Sequence, residues 1–270
     1  MSGLLKADFY RIKKSKLLTV VLILCAAFPL ITALLYFAIF KLDAVFGGSA
    51  TDLFPFNGRF LLSSSFSLSN NLGIVIPVFS GIYMCKDISD GTLRNKVING
   101  NSRTKIYFSH LFSGMVFNIF SILLFAFFNV LFGSLFLGGY GVELNGAEWK
   151  YIGALLLMGV LTFAFVATIT AFLAMVLKNM AITMILTVAY SMLSSLTSLL
   201  DLGLIDFGKY KPLLYFIPGY TNSTIGSLSS LFGLGGLEKN AVLFGIISYI
   251  FFGLLNTVLG IAIFNKKDLK

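Results

Sequence analysis

Long apolar runs separated by short charged segments dominate the chain. A bilayer core of roughly 30 Å needs about 20 apolar residues in a helix rising about 1.5 Å per residue. Six runs reach that length, at residues 17–40, 66–85, 107–137, 151–177, 181–200 and 241–264. The third would reach roughly 46 Å as one helix, so it tilts or projects beyond the apolar layer. The first is longer than the apolar part of a secretory leader and ends without a small-x-small cleavage pattern, so it is expected to stay in the mature chain. These runs predict an all-α, polytopic membrane protein with six transmembrane helices, forming a single transmembrane domain over residues 1–270.

Composition agrees, since a chain of 270 residues that is 57% hydrophobic and 11% charged has more apolar surface than a water-soluble core of this size can bury. The net charge of +9 reads as topology rather than nucleic-acid binding, because the cations sit in short segments between apolar runs. Fourteen of the 20 lysines and arginines fall on one side: residues 6–16, the loop from Lys86 to Lys105, Lys178 and the C-terminal residues. The other side has Lys41, Arg59, Lys150, Lys209, Lys211 and Lys239 beside seven acids. An excess of Lys and Arg marks the cytoplasmic side, so both ends are expected there.

No charged residue falls in the middle of a run. A charge at the bilayer centre costs about 2.5–3.5 kcal/mol on insertion scales, a cost that proton- and voltage-driven proteins accept for function. Energy is therefore expected to enter from outside the membrane. Cys25 and Cys85 read as buried free thiols, and His110 is the sole histidine, which argues against a metal site and against intramembrane proteolysis. No G-x-x-x-x-G-K-[ST] occurs, so the chain has no P-loop for ATP phosphates.

Two basic-side segments stand out. Residues 1–16 place Leu5, Phe9 and Ile12 on one helical face with cations elsewhere, which predicts an interfacial amphipathic helix. In the loop after the second run, Asp90 or Thr92 can cap a helix start, Leu93, Val97 and Ile98 form an apolar edge, and Asn99-Gly100-Asn101 supplies a left-handed stop. Ser102 can cap the third span. A two-turn helix of this kind either slots into a groove on a cytoplasmic partner or merely joins two spans.

Asp87-x-x-x-Gly91-Thr92-Leu93-Arg94 followed by Asn101-Ser102-Arg103-Thr104-Lys105 resembles the cytoplasmic loop of permease subunits in the type-2 ATP-binding-cassette (ABC) exporter family. The Asn99-Gly100 region replaces a proline common at the turn, and His110 stands where a lysine is usual. The resemblance implies a coupling helix whose Asp90, Gly91, Thr92, Leu93, Arg94, Lys96, Val97, Ile98 and Arg103 contact a cytoplasmic ABC ATPase subunit. It also implies no cofactor in this chain, with ATP bound and hydrolysed on that partner, and a second permease subunit, identical or related. The setting it implies is a bacterial plasma membrane.

Between the last two runs, residues 201–240 contain apolar patches too short to cross, which read equally as re-entrant pieces or as an amphipathic loop. Three uncharged polar sets lie inside spans: Asn118, Ser121 and Asn129; Ser191, Ser194, Ser195 and Ser198; and Gly253, Asn256 and Gly260. Helix packing explains them better than a substrate path does. The expectation is a permease exporting an amphipathic or hydrophobic cargo, such as a peptide, a lipid-linked molecule or a drug. The competing expectation is a membrane scaffold or sensor that recruits a signalling partner.

Overall fold

A computed structural model describes residues 2–46, 57–68, 72–197, 211–218, 220–221 and 239–266. Ten helices and no strands occur among them. They are α1 (Ser2–Lys14), α2 (Lys16–Phe46), α3 (Gly58–Ser65), α4 (Leu72–Ser89), α5 (Thr92–Ile98), α6 (Arg103–Phe136), α7 (Gly146–Leu177), α8 (Met180–Leu196), α9 (Lys211–Leu214) and α10 (Lys239–Lys266). Among the described residues, four segments are long and apolar enough to cross a membrane: Lys16–Asp43, Arg103–Phe136, Gly146–Leu177 and Val242–Lys266. Met180–Ser194 is a shorter apolar helix.

The second apolar run departs from expectation. Instead of one helix over 66–85, the chain forms α3, leaves helical geometry at Phe66–Leu68, and resumes as α4 down to Ser89. The cause is the polar composition of Ser63-Ser64-Ser65-Phe66-Ser67-Leu68-Ser69-Asn70-Asn71, since Ser and Asn side chains compete with the helix for its own backbone groups. The hydroxyl of Ser63 donates to Arg59 and Phe60 carbonyls, and those of Ser64 and Ser65 donate to the Leu61 carbonyl.

Facing faces built from small and uncharged polar residues bring the long helices together. A Cβ on Gly260 would lie 2.2 Å from the Tyr107 hydroxyl, so α10 and α6 cross where a larger residue cannot fit. Asn118 donates to the Phe163 carbonyl on α7, and Asn129 donates to Ser65 on α3. Ser191 and Ser194 are buried on α8 and donate to their own helix, at the Thr187 and Ser191 carbonyls. These contacts agree with the packing reading of the polar sets; Ser198 lies outside the described residues.

At the end opposite the basic loop, α3 is tied to the start of α7. Arg59 Nε donates to Glu148 Oε1 at 2.8 Å, Tyr140 donates to the same oxygen at 2.9 Å, and the guanidinium lies 4.5 Å from the Tyr151 ring centroid. Asn145 accepts from the Ala147 and Glu148 amides and so starts α7 there. Of the segment 201–240, the described part is tucked against α10: Ser248 donates to the Phe216 carbonyl and Tyr249 to that of Pro218. Tyr215 and Tyr220 are buried beside it. That contact lies roughly 14 Å along α10 from its first residue.

Candidate functional site

The loop helix α5 exists as expected, but its start is made differently. Gly91 occupies the left-handed region at φ 66° and no side chain caps the helix; the Thr92 hydroxyl instead donates to Asp87, at 2.8 Å to Oδ1. Asp90 is exposed. The stop follows the expected chemistry, with Gly100 at φ 81° and the Asn99 and Gly100 amides bonded back to Asn95 and Val97 carbonyls. Ser102 then accepts from the Lys105 amide and caps α6.

The expected apolar edge is divided between two directions. Leu93 is 5% exposed and packs into the bundle, Val97 is half-buried against the same core, and Ile98 is 69% exposed. Gly91 and Arg94 are also exposed, so the outward face is Gly91, Arg94 and Ile98. Arg103 is turned elsewhere: its Nη1 donates to the Phe264 and Asn265 carbonyls at 3.1 and 3.0 Å, capping the end of α10. A pocket lined by Ile88, Gly91, Leu93, Arg94, Met175, Lys178 and Phe264 separates α5 from the ends of α7 and α10. The basic segments therefore gather at one end of the bundle.

Lys96 holds α5 in place. Its ammonium reaches Asp8 Oδ1 at 2.8 Å and Asp87 Oδ2 at 2.7 Å, joining α5 to α1 and α4. Arg11 forms a second ion pair with Asp87, and its guanidinium lies 4.7 Å from the Tyr83 ring centroid. Ser109 on α6 donates to Asp8 Oδ2 at 2.7 Å. His110 stacks on Tyr83, places Nε2 2.9 Å from the Met84 carbonyl and has Nδ1 3.6 Å from Asp87. Two carboxylates and two cations thus form a neutral chain, Asp8 to Lys96 to Asp87 to Arg11, in which both acids are about 2% exposed. Asp8, Asp87 and His110 cluster as metal ligands could, but the ammonium and guanidinium occupy the places a metal ion would take.

This ion-pair chain was not read from the sequence, although α1 carries a sign of it. Leu4, Asp8 and Ile12 follow one another at helical i, i+4 spacing, so Asp8 is an acid on an otherwise apolar face. The amphipathic helix itself is present, with Ile12 buried and Leu4 and Phe9 packed against the core.

Burial by itself would raise the Asp8 pKa, but hydrogen bonds from Lys96 and Ser109 and the Lys96 charge outweigh it and hold Asp8 below the usual carboxylate range. A depressed folded pKa gives stability that is present above the unfolded value of roughly 3.9 and lost as pH falls through the folded one. The gap in melting temperature between wild type and Asp8→Asn is therefore expected to stay constant from about pH 5 to 8. A gap that shrinks steadily across that interval would contradict the assignment.

No curated protein matches the chain. The family model described as ABC-2 family transporter protein matches residues 4–194, a stretch that takes in nearly all of α1, the buried ion pairs, α5 and every other helix through α7. A short helix held by buried ion pairs at the basic end of a bundle of apolar helices accords with that match, and the chain belongs to the ABC-2 family of transporter proteins as a multi-pass membrane subunit.

Proposed function

We propose that the chain is the membrane-spanning permease of an ATP-driven exporter, with α5 as the element through which a cytoplasmic ABC ATPase drives the spans. Family membership implies the ATPase partner. The proposal adds that hydrolysis resides wholly on that partner, that two permeases pair, identical or related, and that both ends of this chain face the cytoplasm. It also takes α3 with α4 as one broken span and α8 as another, giving six crossings with α2, α6, α7 and α10. Amphipathic or hydrophobic cargo suits an interior whose polar residues are uncharged and engaged in helix contacts.

One observation carries the reading. The outward face of α5 is exposed while its inward face is fixed to α1 and α4 through Lys96 and Thr92 and packed into the core through Leu93. A push on Arg94 and Ile98 would thus move the ends of α4 and α1 together, and α6 through the Asp8 to Ser109 bond.

The test is co-purification with the ATPase after joint Arg94→Glu and Ile98→Asp substitution. Both side chains are exposed, so the melting temperature should hold while ATPase retention falls at least tenfold (~1.4 kcal/mol). Undiminished retention in a folded double variant would remove α5 from the interface. Leu93→Asp is a poorer probe, because a carboxylate there is buried and unpaired and disrupts the loop itself.

A further inference from the structure

The pocket between α5 and the ends of α7 and α10 is an open cleft of about 590 Å³, within the range of about 300–1,000 Å³ usual for small-molecule sites. Its floor is apolar: Leu93, Met175 and Phe264 are each at most 5% exposed, and Ile88 is half-buried beside them. Two cations, Arg94 and Lys178, line the same cleft, and among the described residues no carboxylate does. Nor does any described carboxylate lie within ion-pair distance of Arg94.

The cleft lies at a definite level of the bilayer. The interval between Lys150 on α7 and Lys178 just past its end is uncharged, and about 42 Å of helix rise separates the two. On α10 the interval between Lys239 and Lys266 is uncharged as well, with a rise of about 40 Å. A bilayer with its headgroups measures roughly 40–45 Å. Lys178 and Lys266 therefore stand at headgroup level, and Met175 and Phe264, within one turn of them, stand where the acyl chains begin.

Lys178 is also the one described non-glycine residue at positive φ, 55°, a geometry that glycine or asparagine adopts more easily at a helix end. The backbone gives no reason for a lysine there. Its charge does, both toward the last carbonyls of α7 and toward an anion in the cleft. The last carbonyls of α10 are met by Arg103, which weakens the repulsion that this helix end would exert on such an anion.

We infer that the cleft binds an anionic phospholipid, with its phosphate between Arg94 and Lys178 and the first methylenes of a chain on Leu93, Met175 and Phe264. Basic pockets between helix ends on the cytoplasmic side suit acidic headgroups. A zwitterionic headgroup would bring its own ammonium toward the same two cations, and a free phosphate would leave the apolar floor uncovered. Ion pairs fasten α5 to α1 and α4, and the lipid fastens it to the ends of α7 and α10 as well. The inference rests on the permease reading for placing this end at the inner leaflet, and it adds an acidic lipid as a partner of α5.

The test titrates the full-length permease in detergent with dioleoylphosphatidylglycerol, dioleoylphosphatidylcholine or soluble glycerol phosphate and counts bound molecules by native mass spectrometry. Phosphatidylglycerol should bind at least tenfold more tightly than either of the others, a comparison that needs no variant. Lys178→Asn with Arg94→Gln should weaken it at least tenfold, and asparagine suits the left-handed position, so α7 should still end there. Lys13→Gln with Lys14→Gln removes as much charge from exposed positions of α1 and should weaken it less than threefold.

Equal losses in the two double variants would reduce the binding to diffuse attraction and overturn the inference. Equal affinity for phosphatidylcholine or for glycerol phosphate would overturn it too. The rival occupant is an acidic side chain of the ATPase: adding that protein should leave the phosphatidylglycerol bound, and displacement of the lipid as the ATPase binds would give the cleft to the ATPase instead. An ATPase that fails to bind the unsubstituted permease would overturn the permease reading, while the lipid titration is scored without it.

Discussion

Lys96→Met is expected to destabilise the folded permease by about 3–5 kcal/mol, the usual cost of removing one partner from a buried ion pair. Lys96 contacts two carboxylates, both nearly inaccessible to water, whereas Arg11 forms an ion pair with Asp87 and none with Asp8. Without the ammonium, Asp8 retains the Ser109 hydroxyl but no cation within ion-pair distance among the described residues. The excess charge is then dispersed by protonation or by separation of α1 from α5. Adding Asp8→Asn should recover part of the loss, since an amide can be buried without a counter-charge. Thermal unfolding of wild type, both single variants and the double variant gives the cycle. A double variant no more stable than Lys96→Met alone would show that the two residues do not act on each other.

The same cycle separates stability from coupling. If α5 drives the spans through Lys96, the Lys96→Met, Asp8→Asn variant should retain its ATPase, because Arg94 and Ile98 are unchanged. Its nucleotide hydrolysis should nevertheless lose any dependence on cargo. Retention with full cargo dependence would mean that the push travels by another route, such as Leu93 against the bundle.

Gly73→Ala is expected to cost at least about 3 kcal/mol, the upper part of the range for overpacking. A Cβ at Gly73 would lie 2.1 Å from the Ser67 carbonyl oxygen and 2.9 Å from backbone atoms of Leu68. These are backbone atoms and cannot rotate aside as a side chain would. The backbone at Ser67 and Leu68 must shift away from α4, which disturbs the buried Phe66 and Leu68. A fall in melting temperature on the order of 10 °C should follow. Gly153→Ala on α7 is the control: nothing lies within 4 Å of its Cβ, and alanine is the better helix former. Equal behaviour of the two variants would argue that the break is looser than its geometry indicates.

Much of the fold was legible because lipid imposes strict rules on sequence. Apolar runs long enough to cross, the concentration of lysine and arginine at one end, the amphipathic first helix and the two-turn loop helix all follow from local composition, since a bilayer requires each element to satisfy its own backbone. Gly100 and Ser102 could be assigned in advance because turn and cap chemistry acts within a few residues. The resemblance carried by Asp87, Gly91, Thr92 and Arg94 pointed to the family that residues 4–194 match.

What the sequence by itself determined was the solvent of this protein and the location of its polar segments, both properties of short windows. Only the tertiary structure decided that Leu93 faces inward and Ile98 outward, that Arg103 closes α10, and that Asp8 and Asp87 share Lys96. The same holds for the end of α3 after Ser65: its serines were visible, but the contacts of Ser65 with Asn129 and of Phe66 with Gly159 come from two other helices. A buried charge or a broken helix is tolerable only with partners distant in the chain, and no local window contains them.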